Sequence, residues 1–241
     1  MRPTDMPAAH HLKVGGVTPF TATDYPGKLS AVIFIQGCPW RCDYCHNPHL
    51  QLRSADSPLA WPAILDLLQR RIGLIDAVVF SGGEATVDPA LHAAIRDVRA
   101  FGFAIGLHTA GIYPKHLVDL LPLLDWVALD IKAPFDDYQR ITHSRDSGEL
   151  ARKSAQMILA AGIAYEFRTT IHASLLPENQ LLQLAQTLAQ MGVQNYALQL
   201  FRPQGCLDSR LNTASNAGYP APDLVQEIAA LFPCFTLRQA E

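Results

Sequence analysis

Residues 37–48 read Gly37-Cys38-Pro39-Trp40-Arg41-Cys42-Asp43-Tyr44-Cys45-His46-Asn47-Pro48 and follow directly on the apolar, β-rich run Ala31–Gln36. Three of the chain's 5 cysteines lie here, and Cys206 and Cys234 are far away. An odd cysteine count grouped in this way does not make a secreted disulfide framework. A bridge closed within so short a loop would also be strained. Three thiolates on one tight loop can instead converge on a metal centre. Arg41, Asp43 and His46 interleave with them, which argues against a dry segment of buried thiols. A zinc site completed by His46 or His49 is the structural alternative, although zinc sites usually join two separated halves of a sequence. Iron–sulfur cubanes usually take four thiolates, so three would leave one metal position open to a ligand.

Outward from this loop, short apolar runs alternate with longer amphipathic stretches, the pattern of a parallel sheet with crossover helices. Strands are expected at Ala31–Gln36, Ala77–Ser81, Phe103–His108, Trp126–Ile131, Tyr165–Ile171 and Tyr196–Phe201. Helices are expected near Leu59–Arg71, Pro89–Phe101, Pro114–Leu121, Glu149–Ala161, Pro177–Met191 and Ala221–Leu231. Prolines at first turns and glycines just past the ends, as at Pro89/Gly102 and Pro177/Gly192, support these boundaries. About six βα units fit either a (β/α) barrel, partial or full, or a doubly wound open sheet; periodicity does not separate the two. In both, functional residues gather at the carboxyl ends of the strands, where the cysteine loop stands. Residues 1–16 read as a loose or edge-lying arm, 17–241 as a single domain, and Arg202–Pro220 as a long polar connection able to act as a lid.

The 241 residues carry 19 Lys+Arg against 22 Asp+Glu, a formal net charge of −3, and are 49% hydrophobic. That is ample for a large core. The charge gives no broad attraction to phosphate backbones or anionic lipid, so neither a nucleic-acid nor a membrane partner is expected. The run Ala31–Ile35 is far below the roughly 18 residues of a bilayer span, and Pro3, Asp5, His10 and His11 interrupt the stretch a signal peptide needs. A soluble cytoplasmic protein is the expectation.

Three further places carry chemistry-bearing residues. After the second expected strand, Ser81-Gly82-Gly83-Glu84 makes a sharp exit whose glycines let backbone groups approach a ligand closely, though such turns are often plain βα connections. On the fourth, Asp130 and Lys132 share a face at the end of an apolar run, where buried charges need partners. A structural ion pair between strands is the bland explanation. His108 and Thr109 end the third strand, and Arg168 lies on the fifth, as a ligand contact or a structural pair.

A CxxxCxxC spacing with an aromatic before the third cysteine, directly after the first expected strand, resembles the signature of the radical S-adenosylmethionine (SAM) enzymes. The resemblance implies an α/β fold of the partial (β/α)6 TIM-like barrel type and a [4Fe–4S] cluster held by Cys38, Cys42 and Cys45. It implies that the fourth iron is chelated by SAM and that Tyr44 lies against the adenine or hydrogen-bonds to it through its backbone, a plain packing aromatic side chain being the alternative. Gly82, Gly83 and Glu84 match the family's GGE motif, which holds the SAM amino group. Asp130 and Lys132 match an Asp-x-Lys of glycyl-radical activases, which implies that Lys132 pairs with the SAM carboxylate and that Asp130 neutralises the ammonium or holds a cation. Arg168 falls where it can meet the SAM carboxylate or substrate. Pyruvate formate-lyase activases have Asp-Thr where this chain has His108-Thr109; Thr109 matches and His108 departs. Arg202 falls where some activases have a histidine facing SAM.

The segments Thr23–Lys28, Phe34–Cys38, Cys45–Pro48 and Leu200–Pro203 resemble the activating proteins of anaerobic (class III) ribonucleoside-triphosphate reductases. This implies SAM cleavage to an adenosyl radical that takes a hydrogen from a glycine of the partner, with a low-potential donor such as flavodoxin or ferredoxin. The alternatives are another glycyl-radical enzyme of the pyruvate formate-lyase type, a small-molecule substrate, or a metal-stapled binding domain. Cys206 and Cys234 are expected to be ordinary thiols, since two cannot hold a second cubane.

Overall fold

A computed structural model describes residues 8–239, so the first seven residues of the expected arm lie outside the described residues. Eight strands among the described residues pair in chain order: β1 (Val14–Thr21), β2 (Ser30–Ile35), β3 (Ala77–Gly82), β4 (Ala104–Thr109), β5 (Trp126–Asp130), β6 (Ala164–Ile171), β7 (Asn195–Leu200) and β8 (Cys234–Arg238). The order decides what periodicity left open. A doubly wound sheet reverses its order at a switch point, whereas unbroken succession is the topology of a (β/α) barrel. The fold is α/β, of the partial TIM-like kind, with β2 to β7 as its six βα strands.

β1 runs antiparallel to β2 and takes in Val14–Gly16, the last residues of the expected arm, as an edge strand. The β2–β3, β3–β4, β6–β7 and β7–β8 pairs are parallel. The helices α1 (Trp61–Gln69), α2 (Leu91–Ala100), α3 (Pro114–Leu120), α5 (Ser147–Ala161), α6 (Glu178–Gln190) and α8 (Pro222–Ala229) fall within the expected spans or within two residues of them. α4 (Tyr138–Thr142) and α7 (Ser209–Thr213) are single turns that no periodicity announces, and α7 lies inside the 202–220 connection.

The chain divides into two compact units. The first comprises the described residues up to Pro39, His49–Thr109 and Tyr113–Ala128; the second comprises Trp40–Pro48, Ala110–Ile112 and the chain from Leu129 onward. In the first, Tyr25, Val32, Ala77, Val79, Trp126 and Ala128 form a buried cluster, and the Tyr25 ring stacks on Trp126 at 5.0 Å between centroids. His108 meets the same Trp126 edge-on and bonds through Nε2 to the Asp24 carbonyl at 2.8 Å, so the segment before β2 is pinned inside this core. In the second, Phe167, Leu181, Leu184, Leu188, Tyr196 and Ile228 are buried, and the Tyr196 hydroxyl donates to Thr169 Oγ1 at 2.8 Å. Near-continuous burial along β2, β3 and β5 is what parallel strands covered on both faces require.

Candidate functional site

In the first unit, β2 ends at Ile35 and the chain turns at Gly37, whose φ of +107° is a left-handed conformation that glycine adopts without strain. Gly37 N–H donates to the Leu50 carbonyl at 2.7 Å and Cys38 N–H to the Gln51 carbonyl at 3.0 Å. The glycine turn after β3 is laced onto this exit: Gly83 N–H donates to Ile35 O at 2.9 Å and Glu84 N–H to Gly37 O at 2.8 Å. A Cβ at Gly82 would lie 2.3 Å from the Ile35 backbone, and one at Gly83 would lie 2.6 Å from Gly37 O and 2.8 Å from Leu50 O. The close approach that these glycines permit is therefore to the chain's own backbone, which fixes the start of the cysteine loop.

Glu84 is 1% exposed. Its Oε1 accepts from Thr109 Oγ1 at 2.7 Å, Thr86 Oγ1 at 2.6 Å and Thr86 N–H at 3.2 Å. Beyond Thr86, its carbonyl bonds His116 Nδ1 at 2.9 Å, and Tyr113 stacks on His116 at 5.2 Å. The Tyr113 phenol is pushed up by burial, and the charges of Glu84 and Cys38 add to the shift. Tyr113 and His116 are neighbours of the turn that carry no motif; only the fold reveals them.

In the second unit, the limb Trp40–Asn47 is stitched to α4. Arg41 N–H donates to Thr142 O at 3.0 Å, Asp43 N–H to Ile141 O at 3.3 Å, and His143 Nε2 lies 2.7 Å from Asp43 Oδ1. Cys45 N–H closes a turn onto Cys42 O at 3.1 Å. On another side, His46 stacks on Phe201 at 5.7 Å and its Nε2 lies 3.0 Å from Arg202 O, while Cys206 Sγ donates to Asp43 O at 3.6 Å. Burial and then the Arg202 charge lower the His46 imidazole. The Arg202 backbone is thus a support for the loop, Cys206 is a packing thiol, and Cys234 is exposed on β8.

Asp130 and Lys132 separate in role. Asp130 Oδ1 accepts from Arg168 Nε at 3.0 Å and from Arg168 Nη2 at 2.9 Å, the inter-strand ion pair that was the bland explanation, with Arg168 as its cation. Lys132 Nζ lies 5.3 Å from the centroid of the buried Tyr44 ring. Burial alone would depress the Lys132 ammonium; Tyr44, Cys42 and Asp130 outweigh it and hold the group above its ordinary value. The Cys42 thiol is raised by burial and lowered chiefly by Lys132. The Tyr138 hydroxyl accepts from Lys132 N–H at 2.9 Å and donates to Asp130 O at 3.3 Å, a bridge absent from any motif.

The sequence pattern of the radical SAM superfamily matches residues 32–191. The chain belongs to the radical SAM superfamily. A protein of Methanocaldococcus jannaschii assigned by name to the glycyl-radical enzyme activating enzymes is 31% identical over 202 residues, 81% of this chain and 82% of that one. The pyruvate formate-lyase-activating enzyme of Clostridium pasteurianum is 35% identical over 125 residues, 49% of this chain and 52% of that enzyme. SuiB of Streptococcus suis bound to SAM shares the fold with a TM-score of 0.64 over 85% of this chain and 48% of that one, at 11% identity.

Radical SAM enzymes use a [4Fe–4S] cluster and SAM, and this chain is an enzyme of that type. Cys38, Cys42 and Cys45 are thiol donors of the kind such a cluster takes, partly exposed on one loop and outside any disulfide, with a lysine ammonium against its second limb. Among the described residues, no three His, Cys, Asp or Glu side chains surround a point for a single metal ion. A cubane makes a different demand, since each thiolate holds a different iron. The structure groups Cys38 with Gly82, Gly83, Glu84 and Thr109 in the first unit, and Cys42, Tyr44 and Cys45 with Asp130, Lys132 and Arg168 in the second. No helix among the described residues is long and apolar enough to cross a membrane.

Proposed function

We propose that the chain activates a glycyl-radical enzyme, holding a [4Fe–4S] cluster on Cys38, Cys42 and Cys45 and SAM on the groups around them. The observation that carries this reading is the 31% identity, over four-fifths of both chains, to a protein assigned by name to that class of activases. When bound, the cluster and SAM supply one-electron SAM cleavage and removal of a hydrogen atom from a glycine. The chain's part is to bind and orient. Glu84, fixed by Thr86 and Thr109, offers a buried carboxylate to the SAM ammonium; Gly82 and Gly83 hold the turn; Tyr44 offers a flat apolar face to adenine. Lys132 and Arg168 are cations for the SAM carboxylate, and Asp130 orients Arg168.

The target we favour is an anaerobic ribonucleoside-triphosphate reductase, on the resemblance of Thr23–Lys28, Phe34–Cys38, Cys45–Pro48 and Leu200–Pro203. A pyruvate formate-lyase-type target is the second reading, favoured by the 35% identity to the Clostridium pasteurianum enzyme. In either case the chain acts as one domain from β1 onward, in the cytoplasm, with flavodoxin or ferredoxin as the electron source. The test is anaerobic incubation of the reconstituted protein with SAM, a reductant and each target in turn, read by electron paramagnetic resonance (EPR). A glycyl radical on the reductase, lost on changing its radical glycine to alanine, supports the first target, and one on the lyase the second. No radical on either, alongside turnover of a small molecule, would overturn the activase reading.

A further inference from the structure

We infer that Lys132 sets the reduction potential of the cluster, acting as a fixed cation beside the Cys42–Cys45 turn in addition to any contact with SAM. The inference rests on the cluster assignment proposed above. Its ammonium lies 5.3 Å from the centre of the Tyr44 ring, and Tyr44 sits inside the turn that Cys45 N–H closes onto Cys42 O. The cation therefore lies over a side chain carried by the turn between two of the three thiols.

The base of the lysine is fixed from the other direction. Tyr138 is 1% exposed; its hydroxyl bridges Lys132 N–H and Asp130 O, and its ring meets Trp40 edge-on at 5.8 Å. Trp40 lies between Cys38 and Cys42, so one buried side chain ties the lysine's backbone to the cysteine loop. The neighbouring carboxylate Asp130 makes its ion pair with Arg168, at 2.9 Å from Nη2. An electron added to the cluster adds negative charge beside this cation. The reduced form is thereby stabilised, and more strongly where water is excluded.

The test uses the full chain, wild type and the variants Lys132→Met, Lys132→Gln and Lys132→Arg, each reconstituted anaerobically. Cluster potentials are measured without SAM by redox titration followed by EPR, and SAM affinity is measured separately by calorimetry. In the two neutral variants the equilibrium for cluster reduction should fall about tenfold, or about 59 mV for one electron. Lys132→Arg should keep the wild-type value. Lys132→Gln, which retains a hydrogen-bonding end, decides the matter should Lys132→Met not take up iron. A wild-type potential in a loaded neutral variant overturns the inference, and weakened SAM affinity beside it would assign Lys132 to SAM alone. Failure of the wild-type chain itself to bind a cluster would instead remove the reading on which the inference stands.

Discussion

Glu84 Oε1 accepts a 2.7 Å hydrogen bond from Thr109 Oγ1, joining the turn after β3 to the last residue of β4. Both residues are buried, so the carboxylate owes its orientation to this hydroxyl and to Thr86 rather than to water. A carboxylate held in this way is ready to receive an ammonium without reorganising.

Replacing Thr109 with Val keeps the shape and removes the donor. Leaving a buried carboxylate short of one hydrogen bond costs about 1–3 kcal/mol. Thr109→Val should therefore lower the unfolding free energy by that amount and weaken SAM binding, while Thr109→Ser restores both. Chemical denaturation and anaerobic calorimetry check the pair; a Thr109→Val protein that binds SAM as wild type does would show that Glu84 needs no help from β4.

A methyl group at Gly83 would strike Gly37 O and Leu50 O, the backbone that starts the cysteine loop. Gly83→Ala should cost about 1–3 kcal/mol as an overpacked site and should reduce iron uptake, because Gly37 and Cys38 must move. Gly102→Ala is the control: φ there is +88°, yet nothing lies within 4 Å of the added carbon. It should lose some stability to strain and take up iron normally. Iron per chain and thermal midpoints decide between the two.

The contrast also shows what was legible in the residues alone. The strands β2 to β7 are apolar runs long enough to announce themselves, and the cysteine spacing marks its loop without help from the fold. β1 was missed because Gly15, Gly16 and Pro19 break its pattern; proline is tolerated on such an edge strand because no partner needs its missing donor. β8, five residues after Pro233, is too short to show alternation. The glycine pair was legible as a close approach, but not the partner of that approach. That Arg168 rather than Lys132 pairs with Asp130, and that Tyr138 bridges their backbones, depends on strand register and a one-turn helix, neither of which spacing records.

His172, just past β6, is 1% exposed, and Nε2 has no hydrogen-bond partner; its Nδ1 accepts from Ser174 N–H at 3.1 Å. Burial lowers its pKa, so the unfolded chain takes up a proton that the folded one refuses. Stability contributed by the neutral ring is present above the unfolded value of about 6.5 and is lost as the pH falls below it. His172→Phe should flatten the fall in unfolding free energy as the pH drops below about 6.5, relative to wild type. Parallel denaturation curves across that window in the two proteins would count against a buried neutral imidazole.

The five cysteines should divide sharply by position. Cys38, Cys42 and Cys45 are partly exposed on one loop, whereas Cys206 is buried with its thiol directed at Asp43 O, and Cys234 faces solvent on β8. If each loop thiolate holds its own iron, none can stand in for another, and removing one leaves an iron without a protein ligand. Alanine at position 38, 42 or 45 should abolish cluster absorption after anaerobic reconstitution. Cys234→Ala should load fully. Cys206→Ala should load as well, because the thiol's bond to Asp43 O is long and His46, Arg41 and the Asp43 amide still hold the limb. The decisive comparison is iron and sulfide per chain across the five variants: full loading of Cys42→Ala, or loss of the cluster in Cys206→Ala with the fold intact by circular dichroism, would redraw the ligand set.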